Sequence, residues 1–344
     1  MEVNWDPMNA TGKIGVLRKD FSYYLWVGVF FLCLGGLIAG LYYSTKQIDY
    51  VWRWYRVPQY FFFEDTVDVR AEMEGTVAAI SPADGGKSVT VKNDSGISES
   101  YFVPGGNVRV SEGDYIYPAD VLGTSKKWKV GLLLQGLWMT LKISVIATFF
   151  GLIIGLFGGL FRISSNPALK WAAITYIEII RGSPLLVQIF IWYFVLGTLF
   201  NTLLAHAGLP EIPDLWYGTA SLACFAGAYV AEIVRAGIQS IHRGQTEAAR
   251  SLGMNYLQGM YHVILPQALR RIIPPLAGQF ISLIKDSSLL GIIAIRELTK
   301  ATREVVTTSL QPFEMWFICA LLYLVLTFSL SMLTQYLERR MLVS

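Results

Sequence analysis

The chain has 344 residues, of which 53% are hydrophobic, 14% aromatic and only 15% charged, and its mean hydropathy is +0.45. Such proportions exclude an ordinary soluble domain and a disordered chain, and imply a protein dissolved in lipid. A net charge of +3 is too small to suggest a nucleic-acid partner.

Residues 1–21 form a polar tail carrying Lys13, Arg18 and Lys19. The apolar run at 22–43 is about 33 Å long as a helix, enough to cross the hydrocarbon core. That length reads as a spanning helix rather than the short apolar stretch of a cleaved signal peptide. Trp52, Trp54, Tyr55 and Tyr60 to Phe63 follow, an interfacial aromatic belt.

Residues 64–125 change character. Short alternating runs occur at Val67–Ala71, Thr76–Ile80, Ser88–Lys92, Tyr101–Val103, Asn107–Val110 and Tyr115–Tyr117. They are divided by Asp84-Gly85-Gly86, Asn93-Asp94-Ser95-Gly96, Pro104-Gly105-Gly106 and Glu112-Gly113-Asp114, residue types that make tight turns. The spacing predicts a small all-β module. Its rhythm resembles a barrel-sandwich hybrid of the lipoyl or efflux-adaptor kind, without a lysine at a lipoyl-type hairpin tip. Gly86-Lys87-Ser88 reads as a hairpin turn and not a phosphate loop. The pattern GxxxxGK[ST] needs glycine where Ser81 stands, and no helical pattern follows.

Five further spans are predicted at approximately 131–161, 169–197, 216–238, 270–291 and 313–336. If the 238–266 segment is cytoplasmic, the inner segments carry Arg162, Lys170, Arg235, Arg243, Arg250, Arg270, Arg271, Arg339 and Arg340. The outer loop 198–215 carries no Lys or Arg. This asymmetry puts both termini inside and the β module outside. Lys126, Lys127 and Lys129 run against it, on the outer side of the second span. Cys33, Cys224 and Cys319 all fall inside spans, so no disulfide framework is expected in the exposed parts.

The segment 245–266 is a patterned polar interruption between spans. Thr246 is placed to cap a helix, and Glu247 suits the positive end of its dipole. Ala248, Ala249, Leu252, Met254 and Leu257 supply an apolar side at helical spacing. Gly253 offers a point where a partner's surface can approach the backbone, and Pro266 closes the segment. An ordinary amphipathic interfacial helix would share much of this pattern. The complete spacing goes further: Glu247-Ala248-Ala249, then Gly253, then Val263-Ile264-Leu265-Pro266. It resembles the EAA loop of ABC importer permeases, with Val263 in place of the family's Ile. The resemblance implies a cytoplasmic coupling helix, Arg250 included, seated in a groove of the ATP-hydrolysing subunit.

Three more stretches resemble the polar amino acid branch of that family. They are Arg181-Gly182-Ser183-Pro184-Leu185-Leu186-Val187-Gln188, Ala228-Tyr229-Val230-Ala231-Glu232-Ile233-Val234-Arg235-Ala236-Gly237 and Lys285-Asp286-Ser287-Ser288-Leu289-Leu290. The similarity covers roughly residues 130–340. Common members have five spans and an outside N-terminus, so the extra span and the β module are additions.

A zwitterionic amino acid crossing a bilayer needs a cation for its carboxylate and an anion for its ammonium, and charges inside spans mark function by default. Arg181 falls about 18 Å and Lys285 about 22 Å into their predicted spans. Pro184, with Gly182 and Ser183 beside it, should kink or open its helix, and freed backbone beside a cavity commonly holds solutes. Arg181, Ser183, Pro184, Glu232, Lys285 and Asp286 therefore form the candidate substrate path. The alternative keeps these charges as structural pairs: Glu178 with Arg181, Glu232 with Arg235, Lys285 with Asp286.

The expected molecule is an all-α polytopic membrane protein of the type I ABC importer permease kind, with six transmembrane helices and an all-β, barrel-sandwich-like insert. The resemblance implies a permease for polar amino acids in the bacterial inner membrane, working by alternating access and catalysing no bond chemistry. It needs no metal or cofactor of its own, ATP being bound by partner ABC ATPase subunits. A second permease subunit, identical or paralogous, and an extracytoplasmic amino-acid-binding protein complete it. Another small polar solute (an opine, ectoine or cystine) fits the same residues. A membrane-anchored adaptor acting through its β module is the reading from a different class.

Overall fold

The computed structural model describes residues 21–343, with side chains over 23–336. Lys13, Arg18 and Lys19, and the side chains of Arg339 and Arg340, lie outside them. The chain divides after Trp52 into two units. The first contains helix α1 (Phe21–Gln47), whose Tyr23–Gln47 portion is apolar enough to span and has no buried residues in its most hydrophobic window. Five more such helices bring the candidate spans to six among the described residues: 132–162, 185–206, 214–239, 256–293 and 312–336.

The second unit opens with a 3₁₀ helix (Trp54–Tyr60) and the β insert. The insert runs from Phe62 to Val130 as strands β1 (Phe62–Arg70), β2 (Gly75–Ala83), β3 (Gly86–Lys92), β4 (Ser98–Pro104), β5 (Asn107–Val108), β6 (Tyr115–Ile116) and β7 (Val121–Val130). One sheet has the order β1-β7-β5 and the other β4-β3-β2-β6. Val77, Val89, Val91, Val103, Ile116 and Leu122 form the buried core of the insert. Glycines take the left-handed conformation at the foreseen turns: Gly85, Gly96, Gly105, Gly106 and Gly113. Gly86 begins β3 directly after its turn, so Gly86-Lys87-Ser88 belongs to a hairpin.

The seventh strand is absent from the sequence-based reading. Residues Ser125–Val130 pair only with β1, and a ribbon with two exposed faces has no reason to alternate in polarity. Two of its three lysines are answered across the ribbon: Lys126 Nζ lies 3.1 Å from Glu64 and Lys129 Nζ 2.6 Å from Asp65. The Lys129 ammonium also holds the Asp65 carboxyl below its ordinary range. The basic cluster that conflicted with the charge asymmetry thus belongs to a strand with its own carboxylates.

The aromatic belt is only partly a belt. Val57 is buried against Val305 and Met315, and Tyr60 and Phe61 pack between Leu132, Leu133, Leu298 and Ile318. They tie the base of the insert to three helices.

The bundle contains α2 (Leu132–Arg162), α3 (Pro167–Gly182), α4 (Leu185–Phe190), α5 (Thr198–His206), α6 (Asp214–Gln239), α7 (Arg243–Ser251), α8 (Tyr256–Gly259), α9 (Leu265–Asp286), α10 (Leu298–Ser309) and α11 (Pro312–Val343). A π-helical stretch (Ile191–Gly197) joins α4 to α5, and another (Met260–Ile264) joins α8 to α9. A 3₁₀ segment (Ser287–Ile293) extends α9. Helices α2 and α6 meet through glycine. A Cβ on Gly151 would stand 2.9 Å from Ala226 Cβ, and one on Gly159 2.8 Å from Val234 Cβ. Small residues let two backbones approach where lipid gives no hydrophobic drive. Because these contacts advance together along both helices, α2 and α6 run parallel. The β insert joins the start of α2 and α7 follows the end of α6, so the two lie at opposite ends of the bundle.

Two span boundaries differ from the sequence reading. The predicted 169–197 span is two elements, because Ser183 and Pro184 are extended (ψ 146° and 136°). The predicted 270–291 span starts at Tyr256 instead. Pro266 does not end the preceding segment; it occupies the first turn of α9. Proline lacks an N–H and crowds the carbonyl four residues back, and the wider π turn at Met260–Ile264 lies where that carbonyl falls.

Candidate functional site

Helix α7 is shorter and differently capped than its sequence suggests. Its cap is His242, whose Nδ1 accepts the Gly244 N–H at 3.1 Å, so Thr246 lies inside the helix. At the other end, Gly253 N–H donates to Arg250 O at 2.9 Å and Met254 N–H to Ala249 O at 3.1 Å. With Gly253 at φ +78°, this is a Schellman closure. Glycine is thus required by backbone conformation, and a Cβ there would meet nothing within 4 Å. Asn255 then opens α8 through a capping box with Gln258, at 2.8 and 3.0 Å.

The predicted apolar side is split between two directions. Ala249 is buried at 3% exposure, over a cavity of about 540 Å³ that Thr246, Arg250 and Met254 also line. Ala248 is exposed. Leu252 and Leu257 are exposed at 76% and 75%, and Tyr256 and Tyr261 stand open as well. Glu247 and Arg250 flank this surface, both exposed; Leu265 is half-buried and Pro266 exposed. Gln267 Nε2 donates to Gln245 Oε1 at 3.0 Å and Arg271 donates to Ser240 O at 2.6 Å. The loop is thereby fastened to α9 and to the end of α6.

The candidate path residues fall into two groups. In the first, Arg162 at the end of α2 lies 3.1 Å from Glu178 of α3 and 3.0 Å from Glu232 of α6. Glu232 also receives Arg235 Nε at 3.0 Å, and Arg235 donates onward to Gln239. Glu232 and Arg235 do pair, as one alternative expected. Glu178 pairs with Arg162 rather than Arg181. Arg181 instead places its guanidinium 5.3 Å from the Tyr229 ring centre, a cation–π distance. Tyr229 lies about 15 Å along α6 from the end at Gln239.

Ser183 and Pro184 break the chain just after Arg181, and the freed carbonyls need donors. Gln188, exposed by only 4%, supplies them. Its Nε2 reaches Ile180 O at 2.7 Å, Ser183 O at 3.1 Å and Ser183 Oγ at 2.9 Å. The sequence showed Gln188 as part of a motif but not this duty.

In the second group, Lys285 is exposed and Asp286 half-buried. Lys285 makes no ion pair among the described residues, so the expected Lys285–Asp286 pair is not formed. Lys285 lines a cavity of about 270 Å³ with Ser288, Thr299, Trp316 and Tyr323. Behind it lies Glu297, fully buried and overlooked in the sequence. Its carboxylate accepts the Thr299 and Lys300 N–H groups at 2.7 Å each, capping α10, and the Tyr323 hydroxyl at 3.0 Å. Burial raises the Glu297 carboxyl above the ordinary range despite these donors. The only sequence signal is an acid one residue before a helical run.

The profile of a family described as "Binding-protein-dependent transport system inner membrane component" matches residues 147–343. The probable glutamine ABC transporter permease protein GlnM of Bacillus subtilis (strain 168) is 40% identical over 210 residues, 61% of this chain and 93% of the relative. Glutamine transport system permease protein GlnP of Escherichia coli (strain K12) is 39% identical over 212 residues, 62% of this chain and 94% of the relative. A crystal structure of an amino acid ABC transporter with histidines aligns with a TM-score of 0.54 at 41% identity, covering 61% of this chain and 94% of its own.

Proposed function

Because the chain belongs to the family of binding-protein-dependent transport system inner membrane components, we propose that it forms the translocation path of an ATP-driven importer for polar amino acids, glutamine foremost among them. It is a transporter membrane subunit and not an enzyme; hydrolysis belongs to a separate ATPase subunit. The observation that carries this reading is the α7–α8 surface. It is a short helix closed at both ends, at the end of the bundle away from the β insert, presenting Ala248, Leu252, Tyr256 and Leu257 outward. Exposed apolar side chains in one patch mark an interaction surface, and the EAA spacing supports the ATPase as its partner.

The protein is a multi-pass inner membrane protein. In the orientation we propose, both termini and α7 are cytoplasmic and the β insert faces the binding protein. Arg181, Ser183, Pro184, Glu232, Lys285 and Asp286 form the path in this reading, with Lys285 the cation for a carboxylate and Glu232 or Asp286 the anion for an ammonium. A second permease subunit completes the cavity. The adaptor reading loses its ground, since the matched residues are the helical bundle and the coupling segment rather than the insert.

The test is purification of the chain with its ATPase and reconstitution with the binding protein. ATP-dependent uptake of labelled L-glutamine or another polar amino acid is expected; a chain that retains no ATPase would refute the reading.

A further inference from the structure

A third cavity, of about 770 Å³, is lined by Arg296, Lys300, Arg303 and Glu304 and reaches Leu132. Leu132 is the first residue of α2, so this cavity lies at the β-insert end of the bundle. None of the motifs described above includes these residues. We infer that it is an outer vestibule binding the carboxylate of the amino acid before it reaches Lys285, an inference that rests on the importer reading.

The charges in it do not cancel. Arg296 is answered by Glu304 at 2.8 Å. Arg303 donates to Gly291 O at 2.9 Å, a neutral acceptor. Lys300 has no side-chain partner among the described residues. Two cations on one concave surface focus a field that gathers anions, and a carboxylate is the anionic group that every amino acid carries.

The two cavities stand back to back. Lys300 belongs to the outer one and Thr299, its neighbour in α10, to the inner one with Lys285. Between them are Gly291 and Glu297. A Cβ on Gly291 would stand 2.6 Å from Glu297 Oε1 and 3.2 Å from Lys300 Cβ, so only glycine keeps this wall so thin. Glu297 bonds to the backbone of both Thr299 and Lys300, and fixes the turn that aims one residue to each side. A carboxylate passing inward would therefore move from one cationic station to the next past Gly291 and Glu297.

The experiment uses the complete importer in proteoliposomes, with Cys33, Cys224 and Cys319 replaced and Thr307→Cys added at the vestibule rim. Its thiol is modified by a sulfonate-bearing and by a trimethylammonium-bearing thiosulfonate, each rate normalised to a free thiol. The anionic reagent should be favoured about tenfold, and Lys300→Gln should lower the ratio clearly without abolishing it, since Arg303 remains. Saturating L-glutamine should protect the thiol, and glutamine amide, lacking the α-carboxylate, should not. Equal rates, or protection by inorganic phosphate as strong as by glutamine, would overturn the inference. In the native-cysteine protein, Lys300→Gln should slow uptake and Lys300→Arg should restore it; undiminished uptake by Lys300→Gln refutes the vestibule alone. A parent complex that binds no ATPase and imports no amino acid removes the importer reading as well.

Discussion

Gly253 separates two explanations of the coupling segment. If glycine is there because a partner approaches the backbone, any side chain should be harmful. If it is there because φ is +78°, the harm depends on whether the residue tolerates the left-handed region. The structure gives the second a ground of its own, since the positive φ and the closing hydrogen bonds at Gly253 call for glycine whatever lies opposite. Placing an L-residue with a Cβ there costs about 1–2 kcal/mol, and asparagine, which visits this region readily, should lose far less. Gly253→Ala should thus weaken the Schellman closure and lower ATPase retention by roughly fivefold to thirtyfold. Gly253→Asn should stay close to the parent. Gly253→Trp combines the strain with a large group beside Leu252, and overpacking a fitted contact adds about 1–3 kcal/mol. It should insert normally but lose its ATPase on purification and cease transport. The assay is co-purification of the ATPase with uptake in proteoliposomes. A Gly253→Trp protein that keeps its ATPase and imports at the parental rate would show that α7 is not the coupling element. A Gly253→Asn protein as damaged as Gly253→Trp would show that close approach, not backbone conformation, selects glycine.

Further outcomes follow from the same geometry. Replacing residues 64–125 by a short Gly/Ser linker should preserve assembly and basal ATPase, since the anchors Val57, Tyr60 and Phe61 remain, while reducing stimulation by the binding protein; unchanged transport kinetics would refute a docking role. Lys285→Met and Arg181→Met should each impair uptake far more than expression, and normal uptake by both would make the charges structural. Gly159→Val places a side chain 2.8 Å from Ala231 O, which the helix backbone cannot yield, so thermal stability should fall by at least about 1–3 kcal/mol.

The spans were legible because lipid leaves one rule for apolar runs of that length, and the β turns because positive φ selects glycine. What escaped had no periodic signature. Ser125–Val130 form a ribbon with no buried face to impose alternation. Ser183 and Pro184 are two polar-compatible residues inside an apolar run, and the break they cause is complete only because Gln188 receives the freed carbonyls. The charge pairs were assigned by proximity along the chain, as Glu178 with Arg181, whereas Arg162 reaches Glu178 from another helix. Glu297 looked like one more loop acid because its burial is created by Gly291, Tyr323 and α10 together. The 245–266 motif is legible by its spacing, yet the caps of α7, His242 and the Gly253 closure, are set by where α6 ends.

The ribbon of β1 and β7 also works as a ruler. From Phe62 opposite Val130 to Val67 opposite Ser125, the ribbon is five steps long, roughly 17 Å at about 3.4 Å per step. Removing two rungs would lower the head while leaving it facing the same way. Removing one would exchange inner and outer faces and turn the head through about half a revolution. The height and the azimuth of whatever the head presents are thus separately adjustable, by even and odd steps, without touching a residue of the bundle.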